Sequence, residues 1–362
     1  KLVPGYQNKW KQCESMSGIR VVRVKTYIAA NQGIAHRTFD FLSFMVTGFF
    51  AALKEERPDI IAATSPQFFT AVAGWAASAI RGVPFVFKLG DLWPASIAAV
   101  GAMKRSLALK LVEKLELFLY HRSTHIAALT NSFKENLVKR GVDKNKITVV
   151  INGVDLARYG PRDCDVSLSK EWGLENKFVV GYIGTHGMAH ALINVLNAAK
   201  SIQENDGICF LFAGAGAERD RLMEDAKRRL INNVVFMPRQ PKERMPAVWS
   251  LCDVALVHLK DSPVFAGVIP SKIFEAEAMG LPILLAAPEG EASSIVLNDK
   301  AGVHISAENP AALADSVNQL ASNRSALKNF GAAALKAAPG HSRETQAHEF
   351  LNVLKKAIGE KI

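Results

Sequence analysis

Several features that mark common functional classes are missing from this sequence. Its 362 residues include four cysteines, none in a C-x-x-C pair, which favours reduced thiols in a cytosolic protein over a disulfide framework or a zinc site. Neither G-x-G-x-x-G nor G-x-x-x-x-G-K-[ST] occurs, so the fingerprints of dinucleotide and ATP binding are absent. The stretch nearest to a membrane span, 38–53, contains Asp40 and is shorter than the ~18 residues that a spanning helix needs.

The positive charge is distributed unevenly. The net charge is +10, and residues 1–160 hold 22 Lys and Arg against 11 Asp and Glu, while residues 161–362 hold 22 against 23. A basic half indicates an anionic partner such as nucleic acid, phospholipid or a phosphorylated substrate, although a generally basic solvated face explains it equally well. No nucleic-acid motif with interleaved aromatic residues is present, so nucleic acid is not the predicted partner.

Short β-branched runs alternate with longer amphipathic segments along the whole chain. Apolar strands that alternate with helices are typical of parallel sheets covered on both faces, and the number of strands favours two doubly wound α/β domains. We predict an N-terminal domain at 1–155, a second domain at 156–341 and a C-terminal helix at 342–362 that packs back toward the first domain. The predicted strands are 19–24, 59–64, 84–89, 125–130, 147–151, 178–183, 208–213, 233–237, 253–259, 281–287 and 302–305.

The segment GTHGMAH follows the predicted strand 178–183. A strand, a glycine turn and a helix form an anion-binding geometry, because small residues let the backbone approach a phosphate. Gly184, Thr185, His186 and Gly187 are therefore candidates for donor binding. Taken alone, an ordinary turn between strand and helix explains the pattern better, and a histidine there is more often a turn residue than a catalyst.

The stretch PSKIFEAEAMGLPIL, 270–284, is a stronger signal. Ser271 can cap a helix that Gly280 ends, and Pro282 blocks its continuation. At the start of this helix Lys272 can bind a phosphate, together with the exposed backbone N–H groups.

The same helix carries two carboxylates, Glu275 and Glu277. Residues two apart on a helix point in different directions, so at most one of them faces a site. We assign Glu275 to that site, where it can accept hydrogen bonds from two hydroxyls, as in ribose binding. We assign Glu277 to a solvated face.

A further carboxylate, Asp91, comes just after the predicted strand 84–89 in the segment FKLGDLWP. A carboxylate at the carboxyl end of a strand can act as a general base or bind a sugar hydroxyl. A helix cap or a turn aspartate explains the position equally well.

Taken together, these segments resemble the family-4 retaining glycosyltransferases, which have the GT-B fold. The likeness covers essentially the whole chain, and its closer match, at 91–104 and 262–276, is to bacterial surface-polysaccharide enzymes that include N-acetyl-L-fucosamine transferases of O-antigen synthesis. The segments that carry the wider resemblance are 151–159, 184–187, 214–218, 238–260 and 269–284.

The resemblance implies an acceptor domain followed by a donor domain that binds a UDP-sugar without an obligatory metal or other cofactor. It adds Arg239 to the donor-binding candidates and implies catalytic roles for Lys272 and Asp91. The implied reaction moves an N-acetylated hexose, with retention, to a lipid-linked saccharide at the anionic inner face of the plasma membrane. Alternatives are a GT-B nucleotide-sugar epimerase and a non-catalytic protein that binds anionic surfaces.

The sequence departs from the family pattern at several positions. Gly267 and Ala95 stand where relatives carry Glu, and Glu277 stands where they carry Met. The loss at Gly267 puts the usual contact with the donor sugar in doubt. The first residues resemble a point well inside the family's first domain, which implies that a first βα unit is missing and that the fragment can be inactive without it.

Overall fold

The structure is a computed structural model that describes residues 6–29, 34–65, 67–92 and 107–360. The chain folds into two compact units, Lys1–Ile151 with His348–Ile362 and Asn152–Ala347. Both are built from parallel sheets with helices, so the predicted α/β class is confirmed.

The first unit contains a four-stranded parallel sheet in the order β3-β4-β5-β6. Its core joins aromatic side chains of β4, such as Phe85 and Phe87, to Leu119 and Tyr120 of α3. Val353 of the last helix also packs on this sheet. The elements are β1 (Lys11–Met16), β2 (Ile19–Val24), α1 (Ile34–Lys54), β3 (Ile61–Thr64), α2 (Phe68–Arg81), β4 (Phe85–Leu89), α3 (Leu107–Arg122), β5 (His125–Ala128), α4 (Asn131–Lys139) and β6 (Ile147–Val149).

The first two strands correct the expectation that every strand belongs to a parallel sheet. β1 and β2 pair antiparallel in a sheet of their own, with Met16 opposite Ile19. The two residues between them, Ser17 and Gly18, both have positive φ angles, as a tight two-residue hairpin turn requires. β1 was not predicted, because its sequence KQCESM is polar. The Ser-Gly pair that follows it is nevertheless typical of a tight turn.

The second unit contains a six-stranded parallel sheet in the order β12-β11-β10-β7-β8-β9. Its strands are apolar along their length because helices cover both faces. The elements are α5 (Val166–Glu171), β7 (Phe178–Ile183), α6 (Ile193–Ser201), β8 (Ile208–Gly214), α7 (Arg219–Arg228), β9 (Val234–Pro238), α8 (Met245–Trp249), β10 (Val254–His258), α9 (Pro263–Ala266), α10 (Lys272–Met279), β11 (Ile283–Ala286), α11 (Glu291–Asn298), β12 (Gly302–Ile305), α12 (Pro310–Ser322) and α13 (Arg324–Ala337). The last helix, α14 (Arg343–Ile358), begins in this unit, and from His348 onward it belongs to the first unit.

The order of this sheet reverses between β7 and β10. From β7 the chain builds outward through β8 and β9, and it then returns to β10 on the other side of β7. The loops that follow β7 and β10 are in contact there, where Lys260 N donates to Ala189 O at 2.9 Å. Such a switch point, at the carboxyl ends of the strands, is where open α/β sheets bind ligands.

The sequence predicts a helix at 132–140 with Ser132 as its N-cap and Gly141 as the residue that ends it, and the structure agrees with the second of these predictions but not with the first. Gly141 follows α4 with a φ of 88°, which confirms it as the residue that ends the helix. The predicted N-cap of this helix was Ser132, but the cap is Thr130, whose side chain accepts from Phe133 N. The strand ends just before Thr130, so the helix begins earlier than the periodicity indicated.

The centre of the second sheet provides a stability prediction. A Cβ on Gly181 in β7 would overlap the Sγ of Cys252 and lie 3.2 Å from its Cβ. Gly181→Ala should therefore lower the free energy of unfolding by about 1–3 kcal/mol, measured by urea denaturation. Gly160→Ala is the matched control, since nothing lies within 4 Å of a Cβ there.

In the double variant Gly181→Ala/Cys252→Ala the new methyl group occupies the space that the thiol leaves. The double variant should therefore lose less unfolding free energy than the two single variants lose together. A loss equal to that sum would contradict this packing.

Candidate functional site

Two glycine turns pack against each other at the carboxyl ends of β7 and β8. Gly184 N donates to Ala213 O and His186 N donates to Ala215 O, both at 2.9 Å. Gly214 has a φ of 150°, and a Cβ there would overlap Gly184 O. Only glycine permits this approach, so the turns form a fixed pair rather than two independent loops.

A cavity of about 430 Å³ opens beside these turns. Its wall includes Gly184, Thr185 and Arg239, three of the predicted donor-binding residues, together with Lys242. The wall thus combines the backbone of two small-residue turns with two cationic side chains. This combination suits an anionic ligand.

Lys272 lies at the start of α10, and its ammonium group is directed at the first of these turns. The side chain is buried, and Nζ lies 3.7 Å from the ring centroid of Tyr182. A Cβ on Gly184 would lie 3.0 Å from the same Nζ. Within the part of the chain that the structure describes, Nζ has no hydrogen-bond acceptor. Burial lowers the pKa of Lys272 to about 7, and the Glu275 carboxylate opposes that shift only in part.

Glu275 lies one turn further along α10. Trp249 Nε1 donates to Glu275 Oε2 at 3.1 Å, and the indole itself is fully buried. Burial raises the pKa of Glu275, while the bond from Trp249, the charges of Lys272 and Arg343 and a bond from Tyr159 lower it. These supporting side chains were not among the predicted site residues, although Tyr159 and Trp249 lie in segments that carry the family resemblance.

His186 and Gly187 contribute to the shape of the first turn. The imidazole of His186 is buried, with ring centroids 5.8 Å from Tyr182, 6.1 Å from Phe212 and 6.5 Å from Phe236. Burial is the main reason that its pKa falls to about 4, so the ring is neutral at pH 7. Gly187 precedes the short 3₁₀ helix Met188–His190. The side chain of His186 therefore packs inside the unit and does not line the cavity.

The two ends of α10 differ in how closely they follow the sequence prediction. Ser271 occupies the N-cap position, but it is exposed and its side chain makes no capping hydrogen bond. Its backbone lies in the helical region, whereas a capping side chain needs an extended backbone. At the other end Gly280 has a φ of 71°, which confirms it as the residue that ends the helix.

Glu277 is not on a solvated face. The side chain is 0% exposed, and the residues around it on α10 are buried as well. The prediction was wrong because it took the charge of the side chain as a sign of solvent exposure. As expected, Glu275 and Glu277 have different neighbours, since His341 lies near Glu277 whereas Trp249 lies near Glu275.

Asp91 belongs to the first unit, just after β4. Its backbone N–H donates to the Oγ of Ser65 at 3.3 Å, and that hydroxyl donates to Asp91 O at 3.4 Å. The serine thus fixes the turn that carries the carboxylate. Trp93 and Ala95, the other members of this motif, lie outside the described residues.

Known families match both parts of the chain. Residues 2–153 match the family described as Glycosyl transferase 4-like domain, and residues 167–337 match the family described as Glycosyl transferases group 1. Both parts of the chain are therefore similar to glycosyltransferase domains.

Curated relatives of the chain are distant in sequence. WcaI of Escherichia coli K12, named for colanic acid biosynthesis, is 25% identical over 294 residues, which are 76% of this chain and 72% of the relative. An Escherichia coli UDP-Gal:alpha-D-GlcNAc-diphosphoundecaprenol alpha-1,3-galactosyltransferase is 32% identical over 247 residues, 64% of this chain and 59% of the relative. A D-inositol 3-phosphate glycosyltransferase of Nocardia farcinica is matched over 49% of its length. The chain therefore spans less than two thirds of the length of the last two.

Solved structures confirm the predicted GT-B fold of the chain. HepE of Anabaena in complex with UDP and glucose aligns with a TM-score of 0.72 at 20% identity, covering 86% of this chain and 80% of that one. Sucrose-phosphate synthase of Thermosynechococcus elongatus aligns with a TM-score of 0.77 at 14% identity, covering 98% of this chain and 86% of that one. At these identities the likeness establishes the fold alone.

The buried ammonium of Lys272 has a measurable effect on stability. At pH 6 it is charged in the folded and the unfolded chain, so its burial is destabilising. Between pH 7 and about 10.5 the folded chain has lost this proton while the unfolded chain keeps it, so stability rises with pH. Lys272→Met should therefore be more stable than the wild type by about 1–3 kcal/mol at pH 6, and the difference should shrink above pH 7.

Urea denaturation at several pH values measures this difference. Lys227→Met, at an exposed position on α7, is the matched control and should show no pH-dependent gain. A difference between Lys272→Met and the wild type that stays constant with pH would contradict the lowered pKa.

Proposed function

We propose that the chain transfers an N-acetylated hexose from a UDP-sugar to a hydroxyl of a lipid-linked saccharide in cell-surface polysaccharide synthesis, with retention of configuration. The observation that carries the proposal is the buried Nζ of Lys272, which is directed at the glycine turn after β7 and has no hydrogen-bond acceptor among the described residues. A buried cation without an acceptor among the described residues is costly, and a diphosphate bound at this turn would supply the missing anion.

The proposed chemistry centres on the leaving group. Negative charge builds on the diphosphate as the bond to the anomeric carbon breaks, and groups fixed at that place stabilise the transition state. Lys272 would supply a full charge and the backbone of Gly184–Gly187 would supply dipoles. Arg239, on the cavity wall, would bind the same phosphates, and the exposed Ser271 would offer a hydroxyl at the start of α10.

In this proposal Glu275 binds the nucleoside end of the donor. Its carboxylate can accept hydrogen bonds from both ribose hydroxyls, and the bond from Trp249 fixes its orientation. Asp91 is proposed for contact with the acceptor or for handling its proton. No residue is assigned to the donor sugar, since Gly267 stands where relatives carry Glu.

The relatives support the general class of reaction in this proposal. The galactosyltransferase from Escherichia coli is named for a UDP-sugar donor and a diphosphoundecaprenol acceptor, and the HepE structure contains UDP. The fold by itself does not separate transfer from epimerisation, because a UDP-N-acetylglucosamine 2-epimerase of Listeria monocytogenes also aligns, with a TM-score of 0.60 at 15% identity.

Calorimetric titration with UDP tests the donor site. Lys272→Met and Glu275→Ala should each weaken UDP binding by at least about tenfold, because each removes a charge-assisted hydrogen bond. The matched controls, Lys227→Met and Glu224→Ala at exposed positions on α7, should bind as the wild type does. Unchanged affinity in Glu275→Ala would remove the ribose assignment.

The lowered pKa of Lys272 adds a second readout to this titration. A bound diphosphate favours the charged ammonium, so UDP binding near pH 8 should take up close to one proton. The dependence of the observed enthalpy on the ionisation enthalpy of the buffer measures it, and Lys272→Met should lose it. A panel of UDP-sugars with product analysis then identifies the donor, and free epimerised sugar without acceptor consumption would show an epimerase instead.

We further propose that the first unit lies on the anionic inner face of the plasma membrane. No helix among the described residues is long and apolar enough to cross a bilayer. Helix α1 nevertheless exposes Phe39, Val46 and Phe50, at 62%, 48% and 56%, and their spacing places them on one side. Residues 1–160 carry the whole positive excess, which attracts anionic lipid by about 1 kcal/mol per basic residue near the surface.

Flotation with liposomes tests this placement. The wild type should float with vesicles that contain phosphatidylglycerol and less with vesicles of phosphatidylcholine alone. Phe39→Ser/Phe50→Ser should reduce flotation severalfold, because it removes the exposed apolar face of α1. The control Leu297→Ser, at an exposed apolar position in the second unit, should float as the wild type does. Absence of lipid-dependent flotation would overturn the proposal.

A further inference from the structure

Three polar side chains from separate segments of the second unit converge beside helix α10. Glu277 comes from α10, Asp299 from the end of α11 and His341 from the 3₁₀ turn Ala338–His341. One potential ligand atom from each lies within 4.8 Å of the others. His341 Nε2 is 3.0 Å from Asp299 Oδ2 and 3.9 Å from Glu277 Oε2. Two carboxylates and an imidazole thus surround one point.

Glu277 is the member whose surroundings need explanation. Its side chain is 0% exposed, and neither carboxylate oxygen accepts a hydrogen bond from a donor group among the described residues. A buried carboxylate without donors is strongly disfavoured. Burial, the negative charge of Asp299 and a hydrogen bond between the two carboxyl groups raise the pKa of Glu277 to about 8. A cation held by all three side chains would satisfy both carboxylates at once.

We propose that Glu277, Asp299 and His341 form a binding site for a divalent transition-metal ion of the zinc type. Zn²⁺ binds imidazole nitrogen and carboxylate oxygen at about 2.0–2.2 Å, which puts the ligand atoms of a tetrahedral site roughly 3.3–3.6 Å apart. The two distances from His341, 3.0 and 3.9 Å, bracket this range. The carboxylate oxygens of Glu277 and Asp299 lie within 4.8 Å of each other, so a bound ion would draw the two carboxylates together.

The composition and exposure of the cluster indicate which ion fits. An imidazole with two carboxylates suits zinc or a similar transition metal, whereas magnesium prefers oxygen ligands and keeps its waters. The side chains of His341 and Asp299 are 17% and 24% exposed. Solvent can thus reach one side of the site, which gives the ion a way in and allows water as a fourth ligand.

This site uses none of the residues proposed for the donor. Glu277 and Glu275 share a helix, but their neighbours differ, since Trp249 contacts Glu275 and His341 approaches Glu277. A metal ion at Glu277 would tie α10 to the turn between α11 and β12 and to the segment before α14. Its role here is structural, and loss of UDP binding would leave the metal site intact.

Titration with zinc chloride tests the site. The background is Cys13→Ser/Cys164→Ser, which removes the two exposed thiols, after treatment with EDTA and its removal. This protein should bind one zinc ion tightly, with magnesium chloride producing no signal at the same concentration. Glu277→Gln and His341→Gln, in the same background, should each weaken zinc binding by at least tenfold. Glu204→Gln and His121→Gln change an exposed residue of each type and should leave that affinity unchanged.

Thermal unfolding separates a lost ligand from a misfolded chain. In EDTA, Glu277→Gln should unfold at least as high as its parent, because it replaces a buried carboxyl group by a neutral amide of the same shape. Saturating zinc should raise the unfolding temperature of the parent and not that of Glu277→Gln. The proposal is overturned if the parent binds no zinc, or if Glu277→Gln binds it with the affinity of the parent.

Discussion

The second unit of this molecule depends on the close approach of two glycine turns and on the ammonium group beside them. Gly214 permits contact with Gly184 O, and Gly184 in turn leaves room for Lys272 Nζ. A larger side chain at either glycine would displace the turn or the cation. The anion binding that we propose for this site therefore depends first on backbone packing at the reversal of strand order, and the charge of Lys272 adds to it.

The sequence predicted much of this frame because the signals were local. The strand and turn at 178–187 and the helix from Lys272 to Gly280 depend on apolar runs and glycine positions that can be read directly. The two-stranded sheet was missed because β1 is polar, and the N-cap at Thr130 was missed because that strand ends before it. Side chains of distant segments, such as Trp249 beside Glu275, could not be predicted, since their contact depends on the tertiary fold.

Helix α10 shows why charge alone is a poor guide to exposure. It carries Lys272, Glu275 and Glu277 within six positions, yet the first and last are buried and the middle one is half-buried. A sheet strand and further helices surround this short helix, so each charged group must find its partner in the interior. Lys272 is directed at a turn, Glu275 at an indole and Glu277 at a second carboxylate and an imidazole.

The proton equilibrium of Lys272 has a consequence for turnover in the proposed reaction. A glycosyl transfer converts a nucleotide sugar into a free nucleotide with one more negative charge, so a charged ammonium would hold the product more firmly than the substrate. With a pKa of about 7 in the empty protein, this ammonium would give up its proton to bulk water as the nucleotide leaves. A lysine of ordinary basicity would stay charged and slow release, so in the proposed reaction the burial of Lys272 would favour the next cycle.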